Sequence, residues 1–204
     1  MKTGIYKLTI FDYECFVGKG VVQMLLHFVP IHVFRETPQV SFFDAGVNGS
    51  NGADVVIHHK NAISPPDDGN FEQYYIHHHQ VDHNLVIEGS RKFTLINPKW
   101  DEPHHVIFLN RAMGALQIPI GTYHRSESGK EGSIVLNQAT RDDMFDQRKE
   151  FSPVSLRSNK QLRKARQAYP VYWIWEGERI KKVKLDCKEF SKSIKSEPLI
   201  PAHE

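Results

Sequence analysis

Tyr74–Gly89, YYIHHHQVDHNLVIEG, carries the pattern on which the fold turns. Alternate side chains of a β-strand face opposite ways, so in a continuous extended segment His77, His79 and His83 share a face with Val81, Leu85 and Ile87. His78 points away, and the apolar company of the other three marks their face as the buried one. Buried imidazoles need partners for their ring nitrogens, and three protonated rings together would repel one another. A divalent cation meets both demands, because neutral imidazole is a good ligand for transition metals. His79 and His83 would stand about 13 Å apart on an ideal strand, so a bend is required, and Gln80–Asp82 is the place the sequence offers for it.

A second stretch answers the first. In Gly114–His124, GALQIPIGTYH, Pro119 fixes its own φ and Gly121 permits a positive one, so the chain reverses and aims His124 at the other histidines. The predicted metal ligands are His77, His79, His83 and His124, and the predicted cofactor is one divalent ion: iron, nickel, manganese or zinc.

These two stretches resemble the paired motifs of the cupins, an HxH with a further ligand downstream and then, after a loop, PxG and a last histidine. Here HxH is His77-His78-His79, His83 stands where the family usually has glutamate, and PxGxxH runs from Pro119 to His124. The histidine at that position leaves the site without an anionic ligand, and Asp82 is the alternative residue to face it. More narrowly, HxxQVDH at His77–His83, the following VIEG, and IVLNQATRDDMF at Ile134–Phe145 resemble sugar-epimerase-like cupins related to dTDP-4-dehydrorhamnose 3,5-epimerase. The resemblance implies an all-β jelly-roll barrel, and in true epimerases of that group a histidine base works with a tyrosine acid, without a metal. Ile134–Phe145 contains no tyrosine.

Three functions follow as expectations. In an epimerase or isomerase acting on a small carbonyl compound, His77 removes the proton and Tyr123 or Asp82 returns or guides one. Arg125 and Arg141 would hold an anionic substrate, with Trp100 as a lid over the barrel mouth. In a dioxygenase, the four histidines would hold a ferrous or similar ion. A non-catalytic cupin would use the same barrel to bind a ligand.

The rest of the chain fits one decorated domain. Its 204 residues, 40% apolar, with a formal charge of +2, give no electrostatic case for nucleic-acid binding. Cys15 and Cys187 form no CxxC pattern, and neither a signal peptide nor a membrane-length apolar run is visible, which predicts a cytoplasmic protein. Strands are predicted at Val21–Phe34 (broken at Pro30), Val40–Phe43, Val55–His59, Arg91–Ile96, Val106–Leu109, Ala115–Ile118 and Ser133–Asn137, with a turn at Ser126–Gly132. Met1–Phe16 reads as an N-terminal strand. The barrel is placed at residues 1–157, with its motif core at 74–137. Residues 158–204 form an appendage: a helix capped by Ser158, then a hairpin of Val171–Trp175 and Arg179–Leu185 that packs on the barrel and covers a sheet edge in a homodimer.

Overall fold

The computed structural model describes residues 26–184. Thirteen strands and little helix occupy them, so the expected all-β jelly roll is the fold. In chain order the strands are β1 (His27–Val29), β2 (His32–Glu36), β3 (Ser41–Asp44), β4 (Gly52–His58), β5 (Ile63–Ser64), β6 (Gln73–Ile76) and β7 (Gln80–Ile96). β8 (His104–Leu109), β9 (Ala115–Ile118) and β10 (Tyr123–Arg141) complete the barrel. The short helix α1 (Gln147–Glu150), β11 (Val154–Ser155), α2 (Lys160–Arg166), β12 (Val171–Glu176) and β13 (Arg179–Lys184) follow.

Two long strands organise everything else. β7 and β10 pair antiparallel along their whole lengths, from Tyr123 opposite Ile96 to Arg141 opposite Gln80, and both bend midway. Their two halves belong to two layers. One layer runs β4–β10–β7–β9–β1, through the Gln80 end of β7 and the Arg141 end of β10. The other places β6 beside the Tyr123 end of β10 and β8, β12 and β13 beyond the Ile96 end of β7. Val86, Phe93, Leu95, Ile107, Leu116, Ile118 and Val135 fill the space between the layers.

Where both strands bend, two glycines cross. Gly89 and Gly132 both have positive φ, and a Cβ on Gly89 would stand 2.7 Å from the carbonyl oxygen of Gly132, so a side chain has no room there. The turn predicted at Ser126–Gly132 is instead strand throughout, with a register shift between Ser128 and Ser133. Glycine and serine spaced in this way make a bend that keeps its ladder, and composition alone does not separate that from a reversal.

The outer face of the β6–β10 layer carries its own small core. Tyr74, Ile96, Leu162 and Ala165 are buried together, with Tyr123, Val154 and Leu156 against them, so α2 is docked here by its apolar face. The helix is capped by Asn159, whose side chain accepts from the Leu162 amide, one residue later than the predicted Ser158 cap. The predicted hairpin forms as β12 and β13, and β12 joins β8 in parallel. The strand expected at Met1–Phe16, and Cys15 and Cys187, lie outside the described residues. Among the described residues no helix is long and apolar enough to cross a membrane.

Candidate active site

The bend comes earlier than predicted. β6 ends at Ile76, the chain turns through His77–His79, and β7 begins at Gln80. Glu150 of α1 fixes that bend: its Oε2 accepts the backbone N–H of His78 at 2.8 Å and of His79 at 3.3 Å. The Gly121 N–H donates to the His77 carbonyl at 2.7 Å, and Gly121 has the positive φ foreseen for it, so the PxG turn and the histidine bend are tied together.

Bending there reverses the parity of everything downstream. Tyr75 and His77 face inward before the bend, and Asp82, Asn84 and Val86 face inward after it, so Asp82 rather than His83 enters the interior. His124 arrives beside them from β10, Cα-paired with Tyr75 and with Leu95. One ligand-type atom each from His77, Asp82 and His124 lies within 4.8 Å of the others. Asp82 Oδ2 is 3.4 Å from His77 Nε2 and 3.8 Å from His124 Nε2, and all three residues are buried.

The far-side atoms of Asp82 and His124 are tied down. Asp82 Oδ1 accepts from the Gln80 amide at 2.6 Å and the Asn137 amide at 2.8 Å. Each amide has its orientation set by a donor on its oxygen: Arg141 Nε donates to Gln80 Oε1 at 2.7 Å, and the His83 N–H donates to Asn137 Oδ1 at 2.9 Å. His124 Nδ1 sits 3.2 Å from the Thr122 carbonyl oxygen. His77 Nδ1 lies 3.5 Å from Glu150 Oε2 and makes no hydrogen bond. The two Nε2 atoms and one carboxylate oxygen are thus left facing one another.

Electrostatics follow from this crowding. Burial pushes the His77 imidazole down, but the bond and charge of Asp82 and the charge of Glu150 outweigh it and hold His77 above its ordinary value. Burial likewise pushes Asp82 up, and the His77 bond and charge reverse it, leaving the carboxyl below its ordinary range. His124, with burial and then the charge of His77 against it, falls to about 4 and is a neutral ring.

The four-histidine convergence is not what the chain builds. His79 is half-buried at the rim and pairs with Asp142 at 3.0 Å. His83 faces outward, with Nδ1 3.0 Å from the Gln138 carbonyl oxygen. Tyr123 and Arg125 flank His124 in the same strand and therefore face the outer layer. The Tyr123 hydroxyl accepts from Asn159 at 2.9 Å, and Arg125 pairs with Asp67 at 2.9 Å over the Tyr74 ring. Arg141 pairs with Asp54 and reaches the site only through Gln80. Trp100 is buried in the main core against His105, 5.4 Å between ring centroids, which makes it packing and not a lid.

Tyr75, Gln80, Asn137, Glu150 and Phe151 belong to the site without having been foreseen. Tyr75 shares the parity of His77, and Asn137 that of Val135, so alternation alone could have placed both. Glu150 ends α1 and Phe151 follows it directly, and the sequence there carries no comparable signal. The Phe151 ring lies 5.0 Å from His77 and 6.0 Å from Tyr75, walling the histidine on its α1 side.

No protein-family model matches this chain, and no curated protein matches it. Solved structures similar to it include a sugar 3,4-ketoisomerase from Thermoanaerobacterium thermosaccharolyticum in complex with TDP, at 15% identity and TM-score 0.45 over 67% of this chain and 93% of that one. A dTDP-4-dehydrorhamnose 3,5-epimerase from Elizabethkingia anophelis is similar at 10% identity and TM-score 0.44, over 69% and 84% of the two chains. Another epimerase of the same name, from Sulfolobus tokodaii, has 14% identity and TM-score 0.43, over 60% and 78%.

Proposed function

We propose that the barrel is a small-molecule enzyme of the epimerase or isomerase kind whose His77, Asp82 and His124 hold one divalent metal ion. The observation that carries this is the spacing of three inward-facing donors. At 3.4 and 3.8 Å, His77 Nε2 and His124 Nε2 stand farther from Asp82 Oδ2 than good charge-assisted hydrogen bonds, while the far-side atoms are tied or shielded. Two imidazoles and a carboxylate are a donor set for zinc, iron, manganese or nickel, and the Thr122 carbonyl oxygen on His124 Nδ1 and the two amides on Asp82 Oδ1 are far-side partners of the kind such ligands ordinarily have.

Bound there, a divalent ion supplies Lewis-acid polarisation of a substrate carbonyl oxygen. The chain's own residues do the rest. Tyr75 stands beside His124, 6.1 Å between ring centroids, and takes the proton-donating role first expected of Tyr123. Phe151 and Tyr75 exclude water from the His77 side. Arg141, through Gln80, keeps Oδ1 of Asp82 occupied so that only Oδ2 faces the centre.

The same donor set favours a second reading, a non-haem iron oxygenase, because two histidines and one carboxylate leave positions open for substrate and oxygen. The test is metal content by elemental mass spectrometry after supplying each ion, on wild type, Asp82→Ala, His124→Ala and the double variant His79→Ala/His83→Ala. Near one ion per chain in wild type and in the double variant, lost in Asp82→Ala and His124→Ala, is the expected result. A metal-free wild type sinks the metal centre and leaves a metal-independent epimerase. Substrate-dependent oxygen consumption would select the oxygenase.

A further inference from the structure

Gly52 opens β4, and nothing in its own backbone asks for glycine. Its φ lies outside the left-handed range, and it is Cα-paired with Ala139 in a regular ladder with β10. What a side chain would meet there is Arg141. A Cβ on Gly52 would stand 2.7 Å from Nη1, 2.8 Å from Cζ and 3.1 Å from Nε, so the three nearest heavy atoms all belong to one guanidinium. Glycine at this position leaves the space that the guanidinium fills.

Neighbours on both chains hold Arg141 in that space. The Asn51 side chain accepts the Arg141 N–H and donates to the Arg141 carbonyl oxygen, each at 2.8 Å. The Phe145 ring lies over the guanidinium, with Cζ 4.5 Å from its centroid. Nη2 donates to Asp54 Oδ2 at 2.5 Å, and Nε donates to Gln80 Oε1 at 2.7 Å.

The bond to Gln80 decides which way a buried amide faces. Gln80 is 1% exposed and Cα-paired with Arg141. A guanidinium only donates, so the amide oxygen must face it and the amide NH2 must face Asp82, where it donates to Oδ1 at 2.6 Å. Without Arg141 nothing on that oxygen fixes the amide, and Asp82 Oδ1 keeps only Asn137 as a secure donor. The carboxylate is then free to turn, and Oδ2 is no longer aimed at the two imidazoles.

We propose that Gly52 and Arg141 act as one unit that positions the His77–Asp82–His124 centre: glycine admits the guanidinium, the guanidinium orients Gln80, and Gln80 holds Asp82. The proposal rests on reading that centre as the functional site. A methyl group at position 52 displaces only the far end of a flexible side chain, so Gly52→Ala keeps the strand while dislodging Arg141.

Two measurements on the whole chain test it. In crystals of metal-free Gly52→Ala, Arg141 Nε should stand beyond hydrogen-bonding distance of Gln80 Oε1, and the Asp82 carboxylate should be turned from its wild-type orientation. Arg141 still bonded to Gln80, or an unmoved Asp82, overturns the proposal. This result is read without any ion, so a wild type that takes no metal sinks the metal centre and leaves the crystal structure decisive here.

Where wild type takes cobalt(II), a titration followed by visible absorption should give a Kd raised about tenfold or more in Gly52→Ala and in Arg141→Met. The double variant should lose no more than either single one, because both act through the same bond. Unchanged affinity in the single variants, or losses that add in the double variant, overturns the proposal. Should Arg141→Met fail to fold, Gly52→Ala carries both measurements.

Discussion

Asp82, His124 and Asn137 occupy one end of the β7–β10 pair, and Arg91, Ser128 and Ser133 occupy the other. At the first end a carboxylate is held by two side-chain amides and faces two imidazoles. At the second, a guanidinium is held by carbonyl and hydroxyl oxygens, with no carboxylate paired to it among the described residues. Both ends hang on the same two strands. The difference is that the first sets a carboxylate against imidazoles while the second holds a guanidinium with neutral oxygens, and neutral hydrogen-bonding groups hold each charge in place.

The sharpest break is Asp82→Ala. Among the described residues it removes the one carboxylate oxygen that both histidines face, and it leaves the Gln80 and Asn137 amides without their acceptor. Metal and turnover should fall below detection, with stability reduced by roughly 2–4 kcal/mol in urea titration. Arg91→Ala, at the other end, should destabilise by about 3–5 kcal/mol because two buried carbonyls and a cavity remain, yet the folded fraction should keep its metal. Loss of metal in folded Arg91→Ala would show that the two ends are one site.

Acid should act on the neutral histidines. Burial holds both His58 and His105 at about 4, and the Trp173 indole N–H donates to His105 Nδ1 at 3.1 Å, which a second ring proton would forbid. A folded-state value below the unfolded one means that stability is fully present above about pH 6.5 and is lost as the pH falls toward 4. A thermal-unfolding series from pH 7 to 4 should therefore decline steadily, and His105→Phe should flatten part of the slope.

The smallest effects test the outer face. Tyr123→Phe should cost about 1 kcal/mol through the lost Asn159 bond and leave kcat untouched, whereas Tyr75→Phe should lower kcat with little change in stability. Equal kcat losses in the two variants would restore Tyr123 to the site.

Strand alternation made the barrel legible, together with the inward His77 and His124 and the PxG turn. What it could not show was where the bend fell. A bend at His77–His79, clamped by Glu150, exchanges His83 for Asp82, and it is set by a carboxylate far along the chain that no local pattern announces. Tyr123 and Arg125 were misplaced for a simpler reason. They are immediate neighbours of His124 in a strand, and a strand cannot turn three consecutive side chains to one face. Gln80 and Asn137 look like ordinary polar strand residues until the carboxylate between them is placed.

The clamp on the histidine bend also has a history within each synthesis of the chain. His78 and Glu150 are 72 residues apart, so at ribosomal rates of about 5–20 residues per second the bend waits roughly 4–14 s for its anchor. Asp82 waits nearly as long for Asn137, 55 residues downstream. A nascent chain therefore holds the bend and Asp82 before their supports exist, and the centre is finished only when β10 and α1 have closed over it, among the late events of folding for a topology so rich in distant contacts.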